Sequence, residues 1–76
     1  MRPLPRPRPT DVERRLLECL VDGMSDKQIA RATGSPLSTV ASRVQRLLVK
    51  AGAANRTHLL ALAIRRGWIE IEKEEW

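Results

Sequence analysis

The chain has 76 residues, with 14 Lys and Arg against 9 Asp and Glu, a net charge of +5 and a single cysteine. That length makes one domain with a core near the lower limit for a lone monomer, and the basic balance favours polyanions, nucleic acid first and anionic membrane second. Cys19 alone excludes an internal disulfide, no Cys/His cluster offers a zinc site, and neither a membrane-length apolar run nor a signal leader is present, so the sequence predicts a cytoplasmic protein with no metal, cofactor, small-molecule ligand or membrane partner.

Residues 1–9, MRPLPRPRP, carry proline at every second position from Pro3, which forbids helix and favours an extended arm. Thr10 and Glu13 have the spacing of a capping box, and Leu16, Leu17, Leu20 and Val21 then form one helical stripe that Gly23 ends. Cys19, among those leucines, reads as apolar filler. Ser25 and Gln28 make a second capping box, with Ile29 and Ala30 facing inward. Ser35 followed by Pro36 suits an N-cap and a proline in the first helical position, so the third helix is expected over 36–51. Val40, Val44, Leu47, Leu48 and Ala51 supply its buried face and Gly52 stops it. Asn55 caps a fourth helix that runs to about Arg66 before Gly67. Its stripe of Leu60, Ala63 and Ile64 is expected to close the core, leaving Leu59 and Leu62 on a second, uncovered stripe. No alternating strand pattern occurs, so the fold class is all-α, with an arm over 1–9, a four-helix domain over 10–69 and an acidic tail over 70–76.

Residues 25–48 have the form of a helix-turn-helix. Counting Asp26 as position 1, Ala30, Gly34 and Val40 fall at 5, 9 and 15. A small residue at the first lets two helices approach, glycine at the second reverses the chain in a left-handed conformation, and a branched residue at the third anchors the second helix. Opposite the buried stripe of the third helix stand Ser38, Ala41, Ser42 and Gln45, small or amide-bearing side chains suited to base edges in a major groove. Beside them Thr39, Arg43, Arg46 and Lys50 form a stripe suited to phosphates, and no acidic residue occurs from Pro36 to Lys50. An ordinary solvated face would be expected to share the acidic residues that are plentiful elsewhere. Arg2, Arg6 and Arg8 on the arm are candidates for phosphates or a minor groove, with a solubilising leader as the alternative. There is no catalytic constellation and the chain reads as a non-enzyme: His58 suits a surface or capping role, and Glu70, Glu72, Glu74 and Glu75 a solvated tail.

From Thr10 to Ile69 the chain resembles the LuxR-type helix-turn-helix domain, the four-helix module of NarL-like and GerE-like regulators. The resemblance rests on Thr10-x-x-Glu13, Gly23-Met24-Ser25-x-Lys27-x-Ile29-Ala30, Gly34, Thr39-Val40, Lys50-x-Gly52, Asn55-Arg56-Thr57 and Ala63-x-x-x-Gly67. It implies double-stranded DNA as partner, a third helix in the major groove, and Lys27, Asn55, Arg56 and Thr57 added to the phosphate set. It also implies a weak homodimer through the fourth helix, with Leu59, Leu62 and Arg66 as its contacts on half-sites about one turn apart. Thr39-Val40-x-Ser42-Arg43 is similar to sigma-factor region 4 as well, but the Asn55-Arg56-Thr57 turn favours the LuxR type.

The chain departs from the family pattern at Ser35-Pro36, at Ala41 where lysine is frequent, and at Arg43 where histidine is frequent, so no operator preference carries over. Relatives usually carry a receiver or ligand-binding domain ahead of this module, whereas here the module follows Met1 almost at once. The expectation is therefore a stand-alone, sequence-specific transcription regulator, bacterial or phage-borne. The alternative is an adaptor on the same fold that docks on RNA polymerase or another regulator.

Overall fold

The computed structural model describes residues 8–70, and the expectations for Arg2, Arg6 and the glutamates beyond Glu70 lie outside them. Four helices follow in order: α1 (Asp11–Val21), α2 (Asp26–Thr33), α3 (Leu37–Ala51) and α4 (Arg56–Arg65), with no strand among the described residues. The fold is all-α.

Local chemistry sets three of the four starts. Thr10 and Ser25 each complete a capping box: the Thr10 hydroxyl accepts from the Glu13 amide at 3.1 Å and Glu13 Oε1 accepts from the Thr10 amide at 2.8 Å, and Ser25 and Gln28 repeat the exchange. At α4, Asn55 Oδ1 accepts the His58 amide while His58 Nδ1 accepts the Ala54 amide, both at 2.9 Å, which gives His58 the capping role. α3 differs. It starts at Leu37, one residue later than expected, with Pro36 as an extended N-cap and no side chain capping it. Ser35 belongs to the end of α2 instead, where its amide donates to the Ala30 carbonyl at 3.1 Å.

All four helices end alike. Gly34 takes φ +68°, which lets the amides of Gly34 and Ser35 both satisfy Ala30, and this compact stop is the turn of the helix-turn-helix. The same six-residue closure ends the other helices through Met24 to Cys19, Ala53 to Leu48 and Trp68 to Ala63.

α1 packs on α3 and α4, α2 packs on α3, and α3 packs on α4. Leu16, Leu17 and Leu20 meet Ile29, Val40, Val44, Leu47, Ala51, Leu59 and Ala63 in one core, against which Cys19 and Ala30 pack partly buried. Two corrections concern α4. Leu59 has no exposed surface, whereas Ile64, expected inside, is 44% exposed. The helix is turned by less than one residue's step from the expected orientation, since Leu59, Leu60, Leu62, Ala63 and Ile64 spread over about 200° of the circumference and the stripe Leu59–Ala63 competes with Leu60–Ile64. Trp68 and Ile69, just past the last stop, are also buried and cover the base of the core. Their burial gives the tight turn at Gly67 an apolar anchor on its far side.

Candidate nucleic-acid interface

α3 is built to turn one face outward. Val40, Val44, Leu47 and Ala51 are buried and hold it on the domain. Ser38, Ser42 and Gln45 lie on the opposite side and are exposed, with Ala41 half-buried at one edge. Val49, absent from the expected set, continues the same row four residues beyond Gln45 and is 81% exposed. The i, i+4 spacing from Gln45 could have found it, but an apolar residue type points attention toward the core. On the other edge Arg46 is exposed, and Thr39, Arg43 and Lys50 are half-buried.

Neighbouring side chains fix the position of this helix. Lys50 Nζ lies 2.7 Å from Glu13 Oε1, which ties the last turn of α3 to the first turn of α1. Burial raises the Glu13 pKa, but the Lys50 hydrogen bond, the Thr10 amide and hydroxyl and the Lys50 charge together bring it below its ordinary value. The carboxylate is thus charged at neutral pH, when it holds both partners. Arg66 Nη1 donates to the Ala51 carbonyl at 3.0 Å, satisfying an orphan acceptor at the C-terminus of α3, and its guanidinium lies 5.5 Å from the Trp68 ring centroid. Arg66 therefore helps to hold the end of α3 while remaining exposed. Leu59, buried in the core, is removed from the expected dimer contacts, and Leu62 is half-buried against it.

The outlying phosphate candidates fall at the N-termini of α2 and α4. Lys27, Asn55, Arg56 and Thr57 are exposed. The Asn55 side-chain oxygen is taken by the α4 cap, and Arg56 Nη2 lies 2.6 Å from Asp26 Oδ1, bridging the two helix starts. Sequence spacing gives no sign of either ion pair, because Glu13–Lys50 and Asp26–Arg56 join residues 37 and 30 positions apart. Arg8 is exposed just ahead of α1. Among the described residues no group of acidic, histidine or cysteine side chains could hold a metal ion, and no helix is long and apolar enough to cross a membrane.

Comparison with known proteins agrees with this geometry. Residues 10–63 match the family described as bacterial regulatory proteins, luxR family. Among solved structures, the response regulator ChrA of a heme-sensing two-component system superposes with a TM-score of 0.80 at 28% identity, over 86% of this chain and 32% of that one. The VqmA–ligand–DNA complex of Vibrio cholera gives 0.75 at 29% identity, over 90% of this chain and 30% of that one. The chain thus spans about a third of the length of either protein. No curated protein matches it.

Proposed function

The chain belongs to the luxR family of bacterial regulatory proteins, and from that premise we propose that it acts as a sequence-specific DNA-binding transcription regulator. α3 enters the major groove. Ser38, Ala41, Ser42 and Gln45 meet base edges, with the Gln45 amide matched to the paired acceptor and donor of adenine. Thr39, Arg43, Arg46 and Lys50 take the phosphates beside that groove, and Lys27, Asn55, Arg56 and Thr57 those reached from the starts of α2 and α4.

The observation that carries the proposal is the outer face of α3. It is exposed, rich in small and amide groups, flanked by cations and devoid of acid from Pro36 to Lys50. A merely solvated face has no need of that combination. The family resemblance supports a weak two-fold dimer through α4, and the contacts offered for it are the exposed Ile64 and the half-buried Leu60 one turn before it.

Anisotropy titration of the purified chain against a selected duplex and a scrambled one, at two salt concentrations, tests the reading. A preference of about 10³-fold or more for one duplex, with both affinities falling as salt rises, is the expected result. Equal affinity for the two, together with retention on RNA polymerase, would replace the regulator with the adaptor.

A further inference from the structure

Val49 is the most exposed large apolar side chain among the described residues, at 81%, and it stands on the face proposed to read bases. At about 100° per residue, Ser38, Ser42, Gln45 and Val49 fall within about 60° of one another around the axis of α3. Val49 is almost diametrically opposite Val40 and Ala51, which are buried. A branched apolar residue therefore occupies the part of the helix turned furthest from the core.

Its place is fixed on three sides. The Gly52 amide donates to the Val49 carbonyl at 3.1 Å and closes the last turn, Lys50 is paired with Glu13 at 2.7 Å, and Arg66 holds the Ala51 carbonyl at 3.0 Å. Branching at Cβ leaves valine one strongly preferred rotamer in a helix. The two methyl groups are thus placed in advance, and little side-chain freedom remains to be lost on contact.

The surroundings select the kind of contact. One turn back on the same face stand Gln45 and Arg46, both exposed. Leu37 lies at the far end of α3, and the other exposed large apolar residues, Val12 and Ile64, belong to other helices. On its own face Val49 is one large apolar side chain among hydroxyls, an amide and cations, unlike the contiguous apolar centre of a protein interface. In a major groove the apolar feature of the base edges is the 5-methyl group of thymine. Four residues advance the helix about 6 Å beyond Gln45, and base pairs stack about 3.4 Å apart, so Val49 meets the duplex one or two pairs further on.

We propose that Val49 determines specificity by packing its methyl groups on the 5-methyl of a thymine one or two base pairs beyond the pair read by Gln45, on the side toward which the C-terminus of α3 points. The proposal rests on the DNA-reading role given to α3. It adds to that role a base read without a hydrogen bond.

Uracil lacks only that methyl group, so replacing the thymines of the preferred duplex by uracil, one at a time, removes the contact and keeps every base-pair hydrogen bond. Gln45→Ala locates the reference pair, and anisotropy titrations compare the unaltered chain with Val49→Ser across the set. One replacement within two pairs of the reference should weaken the unaltered chain about 3–5-fold, the worth of one buried methyl. Val49→Ser should bind the thymine and uracil duplexes alike, with the melting curve and salt slope of the unaltered chain. A preferred duplex with no thymine in that range, no loss on any replacement, or an equal loss in Val49→Ser would overturn the proposal while leaving α3 as the reader. Unchanged DNA binding by Val49→Ser with an altered sedimentation coefficient would also overturn it, and would give the residue to a protein contact. Failure of the chain to prefer any duplex would instead remove the DNA-reading role, and the proposal with it.

Discussion

α3 and α4 lie against each other and draw on the same apolar residue types, yet only one of them declares its inner face. In α3 the apolar residues Val40, Val44, Leu47 and Ala51 fall on one side, and serine and glutamine occupy the other. In α4, Leu59, Leu60, Leu62, Ala63 and Ile64 spread over about 200° of the circumference, and packing against α1 and α3 selects Leu59 and Ala63 for the core. A stripe identifies the inside of a helix only when something polar opposes it. The helix with the sharp contrast is the one proposed to read DNA, and the blurred one leaves Ile64 exposed.

Core truncations should expose this contrast most strongly. Leu47→Ala in α3 and Leu59→Ala in α4 each remove a side chain with no exposed surface and should cost about 2–5 kcal/mol. In so small a domain that is a large part of the whole stability. Ile64→Ala should stay within about 0.5 kcal/mol. Thermal unfolding followed by circular dichroism ranks the three, and a Leu59→Ala protein as stable as Ile64→Ala would reverse the orientation of α4.

On the outer face of α3 the expected losses are in binding. Gln45→Ala should cost about 1–3 kcal/mol on the preferred duplex and little on a scrambled one. Arg46→Ala should weaken both and flatten the salt slope by about 1. Equal losses from Gln45→Ala on the two duplexes would make it a backbone contact.

Smaller effects are expected where α3 is tied down. Glu13→Gln should lower stability by about 1 kcal/mol at neutral pH. The native pKa of Glu13 lies below its ordinary value, so its contribution is complete above the unfolded-state value of about 4.3 and is lost as pH falls through the native one. Stability curves of the two proteins should therefore converge in acid. A gap that persists at low pH would assign the effect to packing instead. Smallest of all in stability is Ile64→Glu, which should leave the melting curve nearly unchanged while making DNA binding less cooperative. Unaltered cooperativity would take the dimer interface away from this face.

The features legible in the sequence are those set by neighbours along the chain. Thr10 with Glu13, Ser25 with Gln28 and Asn55 each satisfy an amide three residues away, so spacing alone predicts the cap. Gly34 and the α3 stripe are equally local, and the outer row of Ser38, Ser42 and Gln45 follows from them. Distant partners set the rest. Nothing in the spacing of Arg66, itself a surface residue, announces its hydrogen bond to the Ala51 carbonyl, and Trp68 finds its place only once α1 and α4 have packed. The start of α3 moves by one residue because the amide of Ser35 closes α2. No propensity at Ser35 or Pro36 registers that competition.

Selection of binding sites from a random duplex library by the purified chain, run beside Gln45→Ala, tests the central claim most directly. One enriched motif is expected for the unaltered chain, with the same motif degenerate at a single base pair for Gln45→Ala. No enrichment above the starting library, or an identical motif from both proteins, would contradict base reading by α3.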